Sequence, residues 1–464
     1  MNRGLAKLAL AAFLAALSLA CLSAQSPAAP SQPAGIGPGD WVGTLLLKGK
    51  DGASLSGPIR LRLLAPGRGA LLDIPEQSMF GYPLDEVGYS KTRLSFQFGA
   101  LGEEETLRFE GLYLASLGKA PGADPSVPGG IVGTAVSTTW KGNFTLRKAM
   151  AEPVEGERPL DLPGAKTKEG EGVGPLLPGT LRLPRRAGGS TALAVLVAGA
   201  GPSDRNGNNF NVPGKTDSLK LLAEALARRG VATYRFDKRG SGEAYTLERS
   251  SNSMSYAIQA EDLASILGHF IQGKEFGRVL VMGMNEGAWV AALALEILAE
   301  SGMAVDGFAV LGASGKAPRT SLLESLEGLD EATRREAMAI LEAIDSGNDY
   351  PQPSPSLADF FARERKDWLK EWISLKPDRD IGAADTPVLL VRGEADLQVE
   401  EESFNALAAA RPGAASRRIP SMNYLLKLVR SEEENYASFS DPRFPIPDAL
   451  ADLLAAFAKA QPAP

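Results

Sequence analysis

Histidine and cysteine are almost absent from this chain, because its 464 residues include one of each. A single cysteine excludes an intramolecular disulfide and zinc sites built from several thiolates. A single histidine excludes metal sites that need two or three imidazoles, and the sequence predicts no metal and no cofactor. Any acid–base mechanism that needs an imidazole must therefore use His269 or do without one.

The sequence also lacks an excess of positive charge. Lys and Arg number 49 against 56 Asp and Glu, which gives a formal net charge of −7, and no basic stripe is present. A nucleic-acid partner is therefore not expected. The length is that of two or three domains, and 44% hydrophobic residues are enough for a full core.

Residues 1–20 have the pattern of a signal peptide. Arg3 and Lys7 precede an apolar run, LALAAFLAALSLA, that is too short and too rich in alanine for a membrane-spanning helix. The only cysteine, Cys21, follows directly. Residues 21–39 are rich in Ser, Pro, Ala and Gly, which is typical of a flexible tether. We therefore expect an exported protein.

The position of Cys21 resembles the lipidation site of a bacterial lipoprotein. The match departs from the common pattern at Ser18 and Leu19, where Leu and a small residue are preferred. Lipidation implies a cell-envelope protein that is anchored to the membrane through acyl chains on Cys21. The alternative is cleavage after Ala24, which would release a soluble periplasmic or secreted protein.

Two patterns of apolar residues divide the rest of the chain. Residues 40–150 alternate at a period of two between glycine-rich breaks, which predicts a small antiparallel β domain, either a sandwich or a barrel. Residues 151–179 form a linker rich in Pro, Gly, Glu and Lys. Residues 180–460 alternate strand and helix patterns, which predicts a mainly parallel, doubly wound sheet with its site at the carboxyl ends of the strands. A helical insertion at about 315–385 is either a packed accessory subdomain or a cap over the pocket.

The strands of this second region are predicted at 192–198, 231–237, 278–283, 306–312 and 387–393. The first of them runs into the loop Gly199, Ala200, Gly201 and Pro202, whose backbone N–H groups would face the pocket. This loop lacks the third glycine of a dinucleotide fingerprint and the closing glutamate of a calcium loop, so it favours neither function.

A second loop has the form of a nucleophile elbow. In VLVMGMNEGAWVAA, a strand ends in the pentapeptide Gly283–Gly287 and continues into a helix. The pentapeptide matches the pattern G-x-S-x-G except that Asn285 occupies the position of the serine. Asn tolerates a left-handed backbone, so the turn can persist without the chemistry.

Two further segments follow in the chain order of a hydrolase triad. TPVLLVRGEADLQV is a strand followed by Asp396, and IPSMNYLLKLV is predicted as a strand and turn that contains Asn423 and Tyr424. The order of elbow, acid and turn is that of Ser, Asp and His in α/β-hydrolases. The charged run at 237–239 is expected to hold a loop by ion pairing.

These motifs together resemble the α/β-hydrolase family of secreted bacterial esterase-like proteins with an N-terminal β domain. The resemblance covers nearly all of residues 40–460 and includes GDWVGTL, KGNFTLRK, GAGPSDRNGN, RFDKRGSG, the elbow and RGEADLQV. It implies an α/β-hydrolase fold with a helical cap insertion, preceded by a small all-β domain, and a Ser–Asp–His triad. Asp396 matches the acid, whereas Asn285 and Tyr424 occupy the nucleophile and histidine positions. The resemblance also implies oxyanion donors at the backbone N–H groups of Ala200 and Glu286.

His269 is not expected to complete this triad. It lies near the end of the helix before the elbow strand, and that strand places about 20 Å between the two edges of the sheet. A carboxamide is no nucleophile at neutral pH, and a phenol is a poor general base. We therefore expect a pseudoenzyme that retains a pocket for a small-molecule ester or acyl ligand. The alternative is an active hydrolase that uses Ser203 or Ser241 as nucleophile, with Tyr424 or Lys238 as base.

Overall fold

The computed structural model describes residues 35–99, 105–116, 128–149, 154–166, 174–199, 201–247 and 255–460. The predicted signal peptide, Cys21 and most of the predicted tether lie outside these residues, and so does Ala200. Two large sheets organise the described chain, a nine-stranded sheet in its first part and an eight-stranded sheet in its second.

The first sheet is antiparallel throughout and forms the all-β part of the protein. Its order is β4-β3-β2-β1-β9-β8-β7-β6-β5. The strands are β1 (Gly39–Gly49), β2 (Ser54–Leu63), β3 (Ala70–Ile74), β4 (Met79–Pro83), β5 (Asp85–Tyr89), β6 (Arg93–Phe98), β7 (Leu107–Ser116), β8 (Pro128–Val136) and β9 (Trp140–Lys148).

The two edges of this sheet meet at Leu84. Edge strand β4 ends at Pro83 and the opposite edge strand β5 begins at Asp85, so the sheet must curl until its edges are adjacent. The inward side chains form one apolar core, in which Phe96 stacks on Phe109 with ring centroids 4.4 Å apart. The all-β part is therefore one curled sheet with a seam, rather than a two-sheet sandwich.

The second sheet is mainly parallel. Its order is β10-β13-β15-β14-β16-β17-β18-β19, with parallel pairing from β15 to β19 and antiparallel pairing at β10 and β13. The strands are β10 (Glu157–Pro159), β13 (Gly179–Arg182), β14 (Ala192–Val197), β15 (Ala232–Phe236), β16 (Arg278–Met284), β17 (Gly307–Leu311), β18 (Val388–Gly393) and β19 (Ala415–Ile419), and β11 (Leu162–Pro163) pairs separately with β12 (Leu176–Leu177).

Helices cover both faces of this second sheet. They are α1 (Ser218–Arg228), α2 (Tyr256–Gly273), α3 (Gly287–Glu300), α4 (Pro318–Glu327), α5 (Glu331–Asp345), α6 (Lys366–Ser374), α7 (Pro377–Ala383), α8 (Glu401–Ala410), α9 (Glu432–Ala437) and α10 (Asp448–Lys459). Within the residues that the structure describes, none of these helices is both long and apolar enough to cross a membrane.

The central strands are mainly apolar because both of their faces are buried. In β14, Leu193, Val195 and Val197 pack against α2 and α3, whereas Ala194 and Leu196 pack against α1 and α10. The mainly parallel, doubly wound sheet that the sequence predicts is confirmed, and each of its predicted strands lies within one residue of the observed one.

The insertion between β17 and β18 contains α4 to α7. It has a small core of its own that includes Leu326, Ile340 and Leu369. Trp368 and Trp372 of α6 belong to the edge of that core and also pack against the core of the main sheet. The insertion is therefore a packed unit that also contacts the main domain.

Candidate functional site

The elbow at Asn285 joins β16 to α3. Asn285 has a φ of +53°, the left-handed conformation that asparagine and glycine tolerate best. Its flanking glycines leave no room for side chains. A Cβ on Gly287 would lie 2.5 Å from Val197 O and 2.7 Å from Ala198 O, and a Cβ on Gly283 would overlap the first turn of α3. The pattern G-x-N-x-G therefore forms a sharp turn packed directly against the end of β14.

Hydrogen bonds fix the backbone of Asn285, whereas the oxygen of its side-chain carboxamide is unpaired. Its N–H donates to Leu311 O at 2.8 Å, and its carbonyl accepts from Ala288 N at 3.0 Å. The side chain is 5% exposed, and its Oδ1 has no hydrogen-bond partner among the described residues. Oδ1 lies beside Gly312, 3.1 Å from the position that a Cβ on Gly312 would take. Nδ2 lies beside Gly199, 3.4 Å from the position that a Cβ on Gly199 would take.

Asp396 follows β18 and brings a carboxylate to the same place. Its Oδ1 accepts from the N–H groups of Gln398 at 2.8 Å and Val399 at 3.0 Å. Its Oδ2 is buried and has no partner in the described part of the chain. The position of a Cβ on Gly312 is 3.1 Å from Asn285 Oδ1 and 3.7 Å from Asp396 Oδ2. We call these two oxygens the acceptor pair. Burial raises the pKa of Asp396, although the two N–H groups oppose this effect.

The turn that carries Tyr424 is held by the side chain of Asn423. Its Oδ1 accepts from the N–H groups of Leu425 and Lys427, each at 3.0 Å, and its Nδ2 donates to Asn435 Oδ1 at 2.9 Å. The sequence predicts IPSMNYLLKLV as a strand and turn, and β19 ends at its first residue, Ile419, so the segment is the end of a strand followed by a turn. The asparagine side chain replaces the hydrogen bonds that a strand partner would supply.

Tyr424 itself lies half-buried beside the acceptor pair. Its backbone oxygen is 3.9 Å from the same Cβ position at Gly312. Burial raises the pKa of Tyr424, and the carboxylates of Glu286 and Asp396 raise it further, so the phenol stays protonated at neutral pH. The structure thus brings the side chains of Asn285 and Asp396 and the backbone of Tyr424 together beside Gly312.

Lys238 holds the loop around position 200. Its Nζ donates to Gly199 O at 2.6 Å and to Gly201 O at 3.0 Å. Burial lowers the pKa of Lys238 to about 8, and the carboxylate of Glu286 opposes that shift. Sequence reasoning assigned this lysine to ion pairing or to a possible base. Lys238 follows the carboxyl end of β15, and this position could have indicated from the sequence that it belongs to the site.

The side chain of Glu286 is a second feature that the sequence did not reveal. It accepts a hydrogen bond from Tyr256 Oη at 2.8 Å, and Trp372 of the insertion lies close enough to lower its pKa. Burial raises its pKa, and the hydrogen bonds and Lys238 oppose this shift. In the described chain its backbone N–H has no partner, so it remains available as the predicted oxyanion donor. The insertion therefore reaches Glu286, the residue that follows Asn285 within the elbow.

The alternative nucleophiles have different surroundings. Ser241 is fully buried, and its Oγ donates to Lys238 O at 2.8 Å. Ser203 is 9% exposed and lies on the loop that follows position 200. In the charged run, Asp237 pairs with Arg205 at 2.7 Å.

His269 is exposed on α2 and is not part of the site. The same helix carries Asp262, which pairs with Arg239, the last residue of the charged run, at 2.8 Å. Both side chains are 2% exposed. Across the described ranges, no three His, Cys, Asp or Glu side chains are grouped closely enough to hold a metal ion.

The all-β part contacts the loop that borders the site. Arg62 of β2 pairs with Asp40 at 2.7 Å and with Glu243 at 3.0 Å, and Glu243 also pairs with Arg205 at 3.1 Å. Phe210 lies on the loop of Arg205, between β14 and α1. Its ring packs between Tyr82 of the β domain and Tyr245, with ring centroids 5.9 and 5.8 Å away. The β domain therefore contacts the loops that follow β14 and β15. Its sequence did not indicate this contact.

Comparison with known proteins gives one family match. Residues 194–432 match the sequence profile of the alpha/beta hydrolase family. No curated protein matches the chain. Similar solved structures include Est1E from Butyrivibrio proteoclasticus (13% identity, TM-score 0.41), the esterase domain of a Rhodothermus marinus protein (16%, 0.38) and a thermophilic esterase from Thermogutta terrifontis (17%, 0.37). Each of these alignments covers 65% of this chain and 99% of the other.

Proposed function

Because this chain belongs to the alpha/beta hydrolase family, we infer that it is a member that has lost serine chemistry and keeps a ligand-binding pocket. One observation carries this proposal. The elbow keeps its left-handed turn and its flanking glycines, yet the residue in the nucleophile position is Asn285. The protein is then a pseudoenzyme related to carboxylic-ester hydrolases, with a pocket for a small organic ligand.

The chemistry of the substituted positions supports this proposal. The carboxamide of Asn285 has no nucleophilic atom at neutral pH, and the protonated phenol of Tyr424 cannot accept a proton from one. Losing both the nucleophile and the base of a triad costs several powers of ten in rate, which leaves only the oxyanion hole and binding.

Other features support a retained pocket. Lys238 holds the loop that borders the oxyanion position, and the backbone of Asn285 is fixed at both N–H and C=O. We therefore place the retained function in ligand binding.

Purified protein treated with a fluorophosphonate probe and short-chain p-nitrophenyl esters tests the proposal. We expect neither labelling nor turnover in the wild type. Labelling that disappears in Ser203→Ala or Ser241→Ala would overturn the proposal in favour of an active hydrolase with a non-standard nucleophile. Asn285→Ser combined with Tyr424→His should give measurable labelling, because the elbow and the acid are already in place.

We also propose export and lipid anchoring at Cys21, which lies outside the described residues. The single cysteine directly after an apolar run supports this proposal. Wild-type protein should fractionate with membranes, and Cys21→Ala should move to the soluble fraction with an altered mobility on a gel. Unchanged fractionation of Cys21→Ala would contradict anchoring through this residue.

A further inference from the structure

A cleft of about 780 Å³ opens at the amino edge of the second sheet, next to the end of β13. Arg182, the last residue of β13, lines this cleft and pairs in the sheet with Thr233, near the start of β15. The elbow follows the opposite, carboxyl edge of the sheet. Because the five residues of β15 span about 15 Å, the cleft is separate from the candidate functional site.

Positive charge dominates the lining of this cleft, which we call the arginine cleft. Two elements supply the arginines, namely β13 with the loop that follows it and the last turn of α1. The whole chain has a net charge of −7, so this excess of positive charge is local. The charged side chains of the lining are Arg182, Arg185, Arg186, Arg228 and Glu155.

Carboxylates behind the cleft neutralise Arg182 only in part. Arg182 pairs with Glu157 at 3.0 Å, but Glu157 also pairs with Arg235 at 2.7 Å. One carboxylate is therefore shared by two guanidinium groups. A second carboxylate, that of Glu224, is 4.0 Å from Arg182.

The other three arginines keep their charge available to a ligand. Arg185 lies 3.5 Å from Glu155, but these side chains are 86% and 77% exposed, so water and salt screen the pair. Arg186 and Arg228 are exposed, and neither has an ion-pair partner among the described residues. Filling the cleft with an anion would therefore separate no buried ion pair.

The loop that carries Arg185 and Arg186 is held at both of its ends. At its start, the N–H of Leu183 donates to Gly156 O at 2.7 Å. At its end, the N–H of Gly188 donates to Thr191 Oγ1 at 2.8 Å. The two loop arginines therefore start from a fixed backbone, which lowers the entropy lost when a ligand orders them.

We propose that the arginine cleft binds a small ligand that carries at least two phosphate groups. A guanidinium group is always charged, and its planar set of N–H donors matches the oxygens of a phosphate group. A single phosphate would leave most of the cleft empty, whereas 780 Å³ is within the usual range of small-molecule pockets. Such a ligand is either a soluble phosphate compound or the headgroup of a diphosphate lipid. The proposal goes beyond the proposed function, and neither depends on the other.

Isothermal titration calorimetry of the purified protein with tripolyphosphate, compared with orthophosphate, tests the proposal. We expect tripolyphosphate to bind at least tenfold more tightly than orthophosphate. Arg186→Gln combined with Arg228→Gln should weaken tripolyphosphate binding at least tenfold. Arg335→Gln, which removes a 75% exposed arginine from α5, is the matched control and should bind within twofold of the wild type. All of these arginines are exposed, so the variants should keep the urea midpoint of the wild type.

Flotation with phosphatidylcholine vesicles, with and without the diphosphate lipid cardiolipin, distinguishes the two sources of phosphate. Tripolyphosphate binding without a preference for cardiolipin assigns the cleft to a soluble ligand. A preference for cardiolipin that the double variant loses assigns the cleft to a lipid headgroup. Any anchor at Cys21 is common to the wild type and the variants, so it does not affect this comparison.

Three results would contradict binding at the arginine cleft. Unchanged tripolyphosphate binding in the double variant would place the ligand elsewhere on the protein. Equal affinity for orthophosphate and tripolyphosphate would overturn the requirement for two phosphate groups. Absence of both tripolyphosphate binding and a preference for cardiolipin would overturn the proposal as a whole.

Discussion

Replacing Asp396 by Asn should make the protein more stable while it impairs the site. In the native structure Asp396 Oδ1 accepts from two backbone N–H groups, and the amide oxygen of an asparagine can keep both hydrogen bonds. The substitution removes a buried charge from the position of Oδ2. It also introduces an NH2 donor beside Gly312, next to which the unpaired Asn285 Oδ1 lies as well.

The magnitude follows from the acceptor pair. A buried polar atom without a partner costs about 1–3 kcal/mol, and Asp396→Asn removes one such acceptor and offers a donor to the other. We therefore expect the free energy of unfolding at pH 7 to rise by about 1–3 kcal/mol. A catalytic or binding acid kept at the expense of stability is typical of functional sites.

The pH dependence has a definite sign. Burial raises the folded-state pKa of Asp396 above its unfolded value, so the folded protein takes up this proton first as the pH falls. Protonation relieves the penalty in the wild type, whereas the asparagine variant has no such group. The stability difference between them should therefore be largest above the folded-state pKa and should shrink on acidification.

Urea denaturation of the wild type, Asp396→Asn and Asp385→Asn at pH 7 and pH 4.5 measures these differences. Asp385, an exposed carboxylate just before β18, supplies the matched control. The control should match the wild type within about 0.5 kcal/mol, as surface substitutions usually do. A loss of stability of 1 kcal/mol or more in Asp396→Asn would refute the reasoning, and so would a difference that grows at low pH. Either result would mean that the folded protein already stabilises this carboxylate.

Three further substitutions test other parts of the structure. Gly287→Ala forces a Cβ to 2.5 Å from a backbone oxygen and should cost about 1–3 kcal/mol by thermal denaturation, whereas Gly273→Ala, with open space around it, should not; equal midpoints would contradict the packing of the elbow. Asp262→Asn leaves the buried Arg239 without its carboxylate and should lower the free energy of unfolding by about 3–5 kcal/mol, so an unchanged urea midpoint would argue against this ion pair. Asp204 has its pKa raised to about 6 by burial and then by a neighbouring carboxylate, so the wild type should lose stability as the pH rises through 6. Asp204→Asn should be the more stable protein at pH 8 and should approach the wild type near pH 4, and parallel stability curves across that range would disprove the shift.

The five central strands of the second sheet were predictable because they are buried on both faces. Such strands are continuous apolar runs, and the run at 192–198 corresponds to β14 at Ala192–Val197. The arrangement of the β domain was not predictable to the same degree. Alternation at a period of two tells which face of a strand is buried, but it does not tell which strand is its neighbour. The seam at Leu84, where the two edge strands β4 and β5 of one curled sheet meet, is a property of the whole strand order.

The sequence by itself determined the positions of Asn285, Asp396 and Tyr424, because each follows a strand or turn with a recognisable local pattern. Only the tertiary structure showed that Glu286 meets Tyr256 from 30 residues away and that Lys238 holds the carbonyl of Gly199, 39 residues before it. Backbone conformation is set by neighbouring residues, so turns and strands can be recognised in a single sequence. The hydrogen bonds and charges of a pocket join residues that are distant in the chain, and these depend on how the sheet and its helices pack.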